Sequence, residues 1–279
     1  MMNTQAHVEA VFNSVRDQYK NLKIGFESSS YWETLWFTYT RTVRDIVELS
    51  ASHFSGKEKI RILEIGSFCG VVATALKKSD ARFDVTAWDL PLFMEDKALI
   101  AHYREMGITG ASGNLASLPL GFEKGSFDII ICCEVIEHLN FNPLPVFCEF
   151  NRLLKRDGLL YIGTPNLSNI VKRLLMLRGK STHDSVQHLV WQLNPTAAFS
   201  IGLHWREYTA AELVEMMQLT GFNHVKSYYC HTNVRVVSNK MRRAMVSFMY
   251  GCFPAFLPSQ VAIGAKRADC DVQALREIK

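Results

Sequence analysis

The chain has no cysteine pair at the C-x-x-C spacing of a redox or zinc motif, although it carries seven cysteines in 279 residues. The odd count, and the adjacency of Cys132 and Cys133 inside an apolar run, predict reduced core thiols rather than a disulfide framework. No apolar run nears the ~20 residues needed to cross a bilayer. The first residues also lack the basic segment and apolar stretch of a secretory signal. These absences predict a soluble, cytoplasmic protein. Charge of one sign is lacking too: 31 Lys and Arg stand against 27 Asp and Glu, a formal net charge of +4. That excludes a dedicated nucleic-acid coat and leaves room for a local basic groove. There is no internal repeat and no low-complexity segment. An apolar share of 48% is ample for a globular core.

Periodicity divides the chain. Residues 1–57 read as an N-terminal helical cap, with Ser30 and Glu33 at capping-box spacing and Trp32, Leu35, Trp36, Tyr39, Val43, Ile46 and Val47 at helical intervals. Such a stripe serves as core, as a cover over a neighbour, or as a substrate lid. From residue 58 to 279 strands and helices alternate. Strands are expected at 59–65, 82–89, 108–113, 126–133, 159–164, 224–230 and 261–267, with helices between them at 71–78 and 94–107. SFDIIICC, apolar throughout, reads as a strand buried on both faces. This pattern predicts an α/β, Rossmann-like fold: a mostly parallel seven-stranded sheet with helices on both faces, an N-terminal helical extension, and an insertion at 165–205 after the fifth strand. The insertion holds His183, His188, Trp191, Pro195 and His204, and an insertion past a strand's carboxyl end is where a substrate is usually read.

At the first strand-to-helix junction, ILEIGSFCG places Glu64, Gly66 and Gly70. A dinucleotide loop needs glycines at relative positions 0, 2 and 5. Here they fall at 0 and 4, with Phe68 and Val71 at the other places, which argues against NAD or FAD. Asp89 ends the second strand, 23 residues after Gly66, where a carboxylate accepts two hydrogen bonds from a ribose diol. The stretch GNLASLPLGFEKGSFDIIICCEVIEHL follows. Together these segments resemble motif I and the later motifs of the class I S-adenosylmethionine-dependent methyltransferases, over residues 60–230. Phe68 departs from the family's central glycine and Asn114 from its aspartate. The resemblance implies S-adenosylmethionine as cofactor, held by Glu64, Gly66, Gly70, Asp89, Leu90, Asn114, Leu115 and Cys133. Glu64 would order the loop and the methionine amino group, Leu90 would lie on the adenine, and Asn114 would accept from its amino group.

Methyl transfer to oxygen needs the acceptor's proton removed or its pKa lowered. Glu134, Glu137 and His138 are spaced i, i+3, i+4, one face of a helical turn, and His204 follows the insertion. This set resembles the Glu-x-x-Glu-His plus distant His arrangement of ubiquinone-pathway O-methyltransferases and small-RNA 2′-O-methyltransferases. The resemblance implies a divalent cation (Mg²⁺, Mn²⁺ or Zn²⁺) on Glu134, Glu137, His138 and His204. The same stretch also serves, without metal, to order a helix start, in which case His138 and His204 are the candidate bases. The Thr164, Pro165 and Asn166 corner is either a turn or an acceptor contact. Lys240, Arg242 and Arg243 lead into MVSFMYGCFPAFLP, which reads as a packed helix or as a peripheral membrane contact. The leading expectation is O-methylation of a small-molecule, glycan or lipid-linked acceptor. The alternatives are an RNA 2′-O-methyltransferase, disfavoured by the mild net charge, and a non-catalytic cofactor-binding or scaffolding protein.

Overall fold

The computed structural model describes residues 4–26, 31–190, 203–231 and 240–277. In chain order the elements begin with α1 (Thr4–Asn21), α2 (Tyr31–Thr34), α3 (Trp36–His53), β1 (Ile60–Ile65), α4 (Val71–Ser79) and β2 (Phe83–Asp89). Next come α5 (Pro91–Met94), α6 (Lys97–Met106), β3 (Thr109–Ser112), β4 (Phe127–Cys133), α7 (Leu144–Leu153) and β5 (Leu154–Pro165). The remainder are α8 (Ile170–Leu177), α9 (Val186–Leu189), α10 (Ala210–Leu219), β6 (Phe222–Cys230), α11 (Lys240–Cys252), β7 (Ser259–Lys266) and α12 (Val272–Glu277). All seven expected strands are present, in the order β3-β2-β1-β4-β5-β7-β6. The β1–β2 and β2–β3 pairs are parallel, while β7 runs antiparallel to both β5 and β6. By contacts the chain forms two compact units, residues 1–131 with 153–158, and residues 132–152 with 159–279.

In the first unit β1 buries every residue except Arg61, and Ile129, Ile130 and Ile131 of β4 are fully buried, as the apolar runs require. Val8, Phe12 and Val15 of α1 and Val43 and Ile46 of α3 are buried along the same helical periods that the sequence shows. The aromatic stripe is packing among these helices: Phe12 meets Trp36 edge-on at 4.9 Å, and the Arg16 guanidinium lies 4.3 Å from the Trp36 ring centroid. Ser30 lies outside the described residues. The helix expected at 94–107 is two, because the Asp96 side chain accepts from the Ala98 and Leu99 amides and starts α6 afresh. Strand β5 starts at Leu154 rather than 159. The buried Asp128 carboxylate accounts for this: it binds Lys57, Lys155 (2.9 Å) and the Arg61 amide (2.9 Å), pinning residue 155 beside β4. Burial pushes that carboxyl up, yet Lys57, the Arg61 amide and Lys155 hold it below the usual carboxylate range.

In the second unit, Phe147, Phe150, Leu160, Ile162, Leu213, Met217 and Phe222 are buried. Helix α10 begins with the capping box expected from Thr209 and Glu212. Part of the insertion is helical, as α8 and α9, while Trp191 and Pro195 lie outside the described residues, as do the side chains of Lys240, Arg242 and Arg243. Cys132 and Cys133 are free thiols, as expected, but Cys148 and Cys270 form a disulfide that the expectation of reduced thiols missed. No spacing rule could reveal it, since 122 residues separate the pair and only the packing of the chain's end beside α7 brings them together.

Asn151 is fully buried, and its amide donates to the Thr220 (2.8 Å) and Ala268 (2.9 Å) carbonyls while its oxygen accepts from the Cys270 amide (3.1 Å). Asn151→Ala leaves these buried groups unpaired. A loss of about 2–4 kcal/mol in urea denaturation is the expected result. A loss below about 1 kcal/mol would show that water replaces the side chain.

Candidate active site

The loop between β1 and α4 is built on an unusual backbone. Gly66 and Gly70 have φ of 76° and 77°, and Phe68, the residue at the family's central glycine, also has a positive φ of 48°. A side chain is strained there. Two contacts hold it: the Phe68 amide donates to Asp89 at 2.6 Å, and its ring packs against Phe26 and Phe93 at 5.4 and 5.3 Å. The Gly66 and Ser67 amides both donate to the Trp88 carbonyl. Gly70 is needed for close approach, because a Cβ there would collide with the Tyr103 ring of α6.

Two buried carboxyls flank this loop. Glu64, at the end of β1, is 6% exposed, and its Oε2 has no hydrogen-bond partner. Burial, with a smaller contribution from Asp89, pushes its pKa well above the usual carboxylate range. Asp89, at the end of β2, accepts from Phe68 through one oxygen and from the Leu90 amide (2.7 Å) through the other. Burial raises it to about 6, although both amide bonds act downward. Each oxygen retains a lone pair. The Gly113 amide donates to the Asp89 carbonyl at 3.0 Å and draws the third-strand loop alongside. There Leu115 is buried, whereas Asn114 is exposed and its Oδ1 accepts from the Ala116 amide. Leu90 is half-buried. The donor chemistry fits the methionine and ribose ends of S-adenosylmethionine: an unpartnered buried carboxylate oxygen for an ammonium, and a carboxylate with spare lone pairs for a diol.

In the second unit, Cys133 ends β4, half-buried against Gly163, where a Cβ would stand 2.9 Å from its sulfur. Glu134 has φ 54° and its amide donates to the Gly163 carbonyl at 2.8 Å. The next residues make only a short 3-10 turn, Ile136–His138. A full helical turn, assumed for the i, i+3, i+4 spacing, is therefore absent, yet the Glu134 carboxyl still lies within reach of that of Glu137. Glu137 is fully buried: its Oε2 accepts from Thr164 at 2.9 Å, its Oε1 is unpartnered, and burial pushes its pKa up to about 7. The Glu137 carbonyl accepts from the Trp205 (2.8 Å) and Arg206 amides, which bring His204 beside His138 with ring centroids 5.0 Å apart.

Both imidazoles are oriented. His138 donates from Nδ1 to the Leu203 carbonyl at 2.8 Å, and His204 donates from Nδ1 to Glu207 at 2.7 Å, so each keeps an Nε2 lone pair. Burial lowers the pKa of His138. Glu207 is itself 8% exposed and ion-paired to Lys172. Burial acts against its ionisation, yet bonds from His204 and Lys172 hold it below the usual range. One ligating atom from each of Glu137, His138 and His204 lies within 4.8 Å of the others, a group that could hold a metal ion and that excludes Glu134. Sequence reasoning missed Glu207 and Lys172, although the i, i+3 spacing of His204 and Glu207 carried the signal. Thr164 contacts Glu137, whereas Asn166 is a structural corner, its amide donating to the Ala255 and Leu257 carbonyls. His183 and His188 are not part of the group; His183 lines a cavity of about 580 Å³ that also reaches His204 and Glu207.

The methyltransferase domain family matches residues 36–227. A probable S-adenosylmethionine-dependent methyltransferase of Mycolicibacterium smegmatis is 33% identical over 129 residues, 46% of this chain and 40% of that protein. A ubiquinone biosynthesis O-methyltransferase of Actinobacillus pleuropneumoniae is 30% identical over 128 residues, 44% of this chain and 51% of that one. The chain thus spans about half the length of these curated relatives. Among solved structures, a candidate methyltransferase from Bacillus halodurans superposes with a TM-score of 0.52 at 16% identity, over 82% of this chain and 100% of the other, a likeness of fold.

Proposed function

Because the chain belongs to the methyltransferase domain family, with a Rossmann-like class I fold, we propose that it transfers a methyl group from S-adenosylmethionine to a hydroxyl of a small-molecule, glycan or lipid-linked acceptor. The observation that carries this reading is the buried, unpartnered oxygen of Glu64 beside Asp89 at the ends of adjacent parallel strands. Bound there, S-adenosylmethionine supplies an activated sulfonium methyl. The chain's own residues then do the rest. Glu64 would hold the cofactor's ammonium and Asp89 its ribose diol. Leu90 and Leu115 would flank the adenine, and Asn114 would meet its amino group. His204, oriented by Glu207, takes the acceptor's proton at Nε2, with His138 beside it. Relatives named as O-methyltransferases support oxygen as the nucleophile. No helix among the described residues is long and apolar enough to cross a membrane, and a cytoplasmic enzyme reaching a membrane only at its surface is the reading adopted. Formation of S-adenosylhomocysteine and a methylated product from candidate hydroxyl acceptors tests the function; a protein that binds neither nucleoside would sink it.

The three convergent atoms of Glu137, His138 and His204 favour a second reading, in which they would hold a divalent cation that polarises the acceptor hydroxyl, and His204, its Nε2 then taken by the metal, would not be the base. Elemental analysis should then find about one Mg²⁺, Mn²⁺ or Zn²⁺ per chain, and EDTA should remove both the metal and at least nine-tenths of the activity, restored by that ion. Full activity in a metal-free sample leaves the two histidines as bases alone.

A further inference from the structure

The cavity that reaches His204 has a charge balance of its own. Its volume of about 580 Å³ suits a single-ring compound with substituents. Three cations line it, Lys172, Arg173 and Arg206, against two carboxylates, Glu207 and Glu212. Both carboxylates are already engaged. Glu207 is paired with Lys172 and bonded to His204. Glu212 is paired with Arg206 at 3.0 Å and is also the acid of the α10 capping box. Arg173 is the cation left over. Its Nε donates to the Ser168 carbonyl and its guanidinium carbon lies 5.4 Å from the Phe256 ring centroid, so the side chain is anchored. Among the described residues no carboxylate is paired with it. Its terminal nitrogens can meet the two oxygens of an acidic group together, which a lysine cannot match in geometry. The rest of the wall includes Leu167 and Met176, apolar surface against which a ring packs.

We propose that this cavity is the acceptor site and that the acceptor carries one acidic group, a carboxylate or a phosphate monoester, bound by Arg173 with its hydroxyl turned to His204. The proposal rests on the methyltransferase reading above and deepens it. Lys172 and Arg206 hold the cavity's two acids neutralised, and the wall therefore presents a surplus positive charge to a ligand entering it. The ligand's ring stands between the acid-binding end and the imidazole.

Calorimetry with three probes tests it, each titrated into the full chain saturated with S-adenosylhomocysteine: 3-hydroxybenzoate, 3-hydroxyphenyl phosphate and the neutral 3-methylphenol. At least one acidic probe should bind tenfold or more tighter than 3-methylphenol, and the better of the two identifies the acid. Arg173→Leu should bring all three within about twofold of one another. Arg173→Lys should recover only part of the preference, and both variants should keep wild-type affinity for S-adenosylhomocysteine. Equal binding of the three probes by wild type overturns the proposal, as does a preference that survives Arg173→Leu. In either case intact S-adenosylhomocysteine binding leaves the methyltransferase reading standing. Failure of the wild-type chain to bind that nucleoside removes the wider reading as well, which separates the two failures.

Discussion

His204→Ala should lower turnover by about 10²–10⁴-fold, the range contributed by a positioned general base, while affinity for S-adenosylhomocysteine stays within about twofold of wild type. The size follows from how tightly the imidazole is set. Glu207 accepts its Nδ1 proton at 2.7 Å, and the His204 amide donates to Asp184 at 2.9 Å. Ring and backbone are both fixed, and the residue lines the cavity proposed for the acceptor. Affinity for the nucleoside should hold because His204 is not among the residues proposed to hold it. The neighbouring His138 makes a sharp control: its pKa is lowered, chiefly by burial, so it is neutral at pH 7 with its own Nε2 lone pair available. If His204→Ala loses less than tenfold and His138→Ala loses more than a hundredfold, the base has been assigned to the wrong histidine. If neither variant loses a hundredfold, proton removal is not carried by this pair.

Most of the architecture could be read before any coordinates, and the exceptions share a cause. β1, β2 and β4 declared themselves by continuous apolar runs, and α10 by its Thr209–Glu212 box, because both signals depend on residues next to one another in sequence. The places of Glu64 and Asp89 followed from the strand ends that carry them. What stayed hidden depends on contacts made only in the folded chain. The i, i+3, i+4 spacing of Glu134, Glu137 and His138 suggests a helical face, but the Glu134 amide bonds to the Gly163 carbonyl, its backbone has a positive φ, and only a short 3-10 turn follows. Lys172 stands 35 residues before Glu207, and nothing local links the two. The Cys148–Cys270 bond is hidden in the same way. Phe68 is different: the sequence shows the departure from glycine plainly, but only the Asp89 carboxylate and the rings of Phe26 and Phe93 explain how a side chain is kept there.

Asp89→Ala should weaken S-adenosylhomocysteine binding by about 30–1000-fold, corresponding to the loss of hydrogen bonds between a diol and a charged acceptor at roughly 2–4 kcal/mol in total. The pH dependence gives a second and more selective measurement. Burial raises the Asp89 carboxyl from its ordinary 3.8 to about 6. In the free protein its contribution to folding stability is therefore full below 3.8 and is lost as pH rises through about 6. A diol donating to the carboxylate reverses the preference, because it favours the ionised form. Binding then expels a proton below pH ~6, and affinity should fall by up to about tenfold per pH unit as the solution is acidified from 7 to 5. Glu64, also raised by burial, should add to the same trend through the ammonium it is proposed to hold. Asp89→Asn isolates the ribose contribution: it keeps an acceptor for one backbone amide but loses the titration, so its binding curve should be shallower by up to one proton. A wild-type affinity that is flat from pH 5 to 7, together with an Asp89→Ala protein that binds as well as wild type, would take the sugar away from this carboxylate. The Phe68 and Leu90 amides would then be its only partners, and its role would be to hold a positive-φ phenylalanine in the loop.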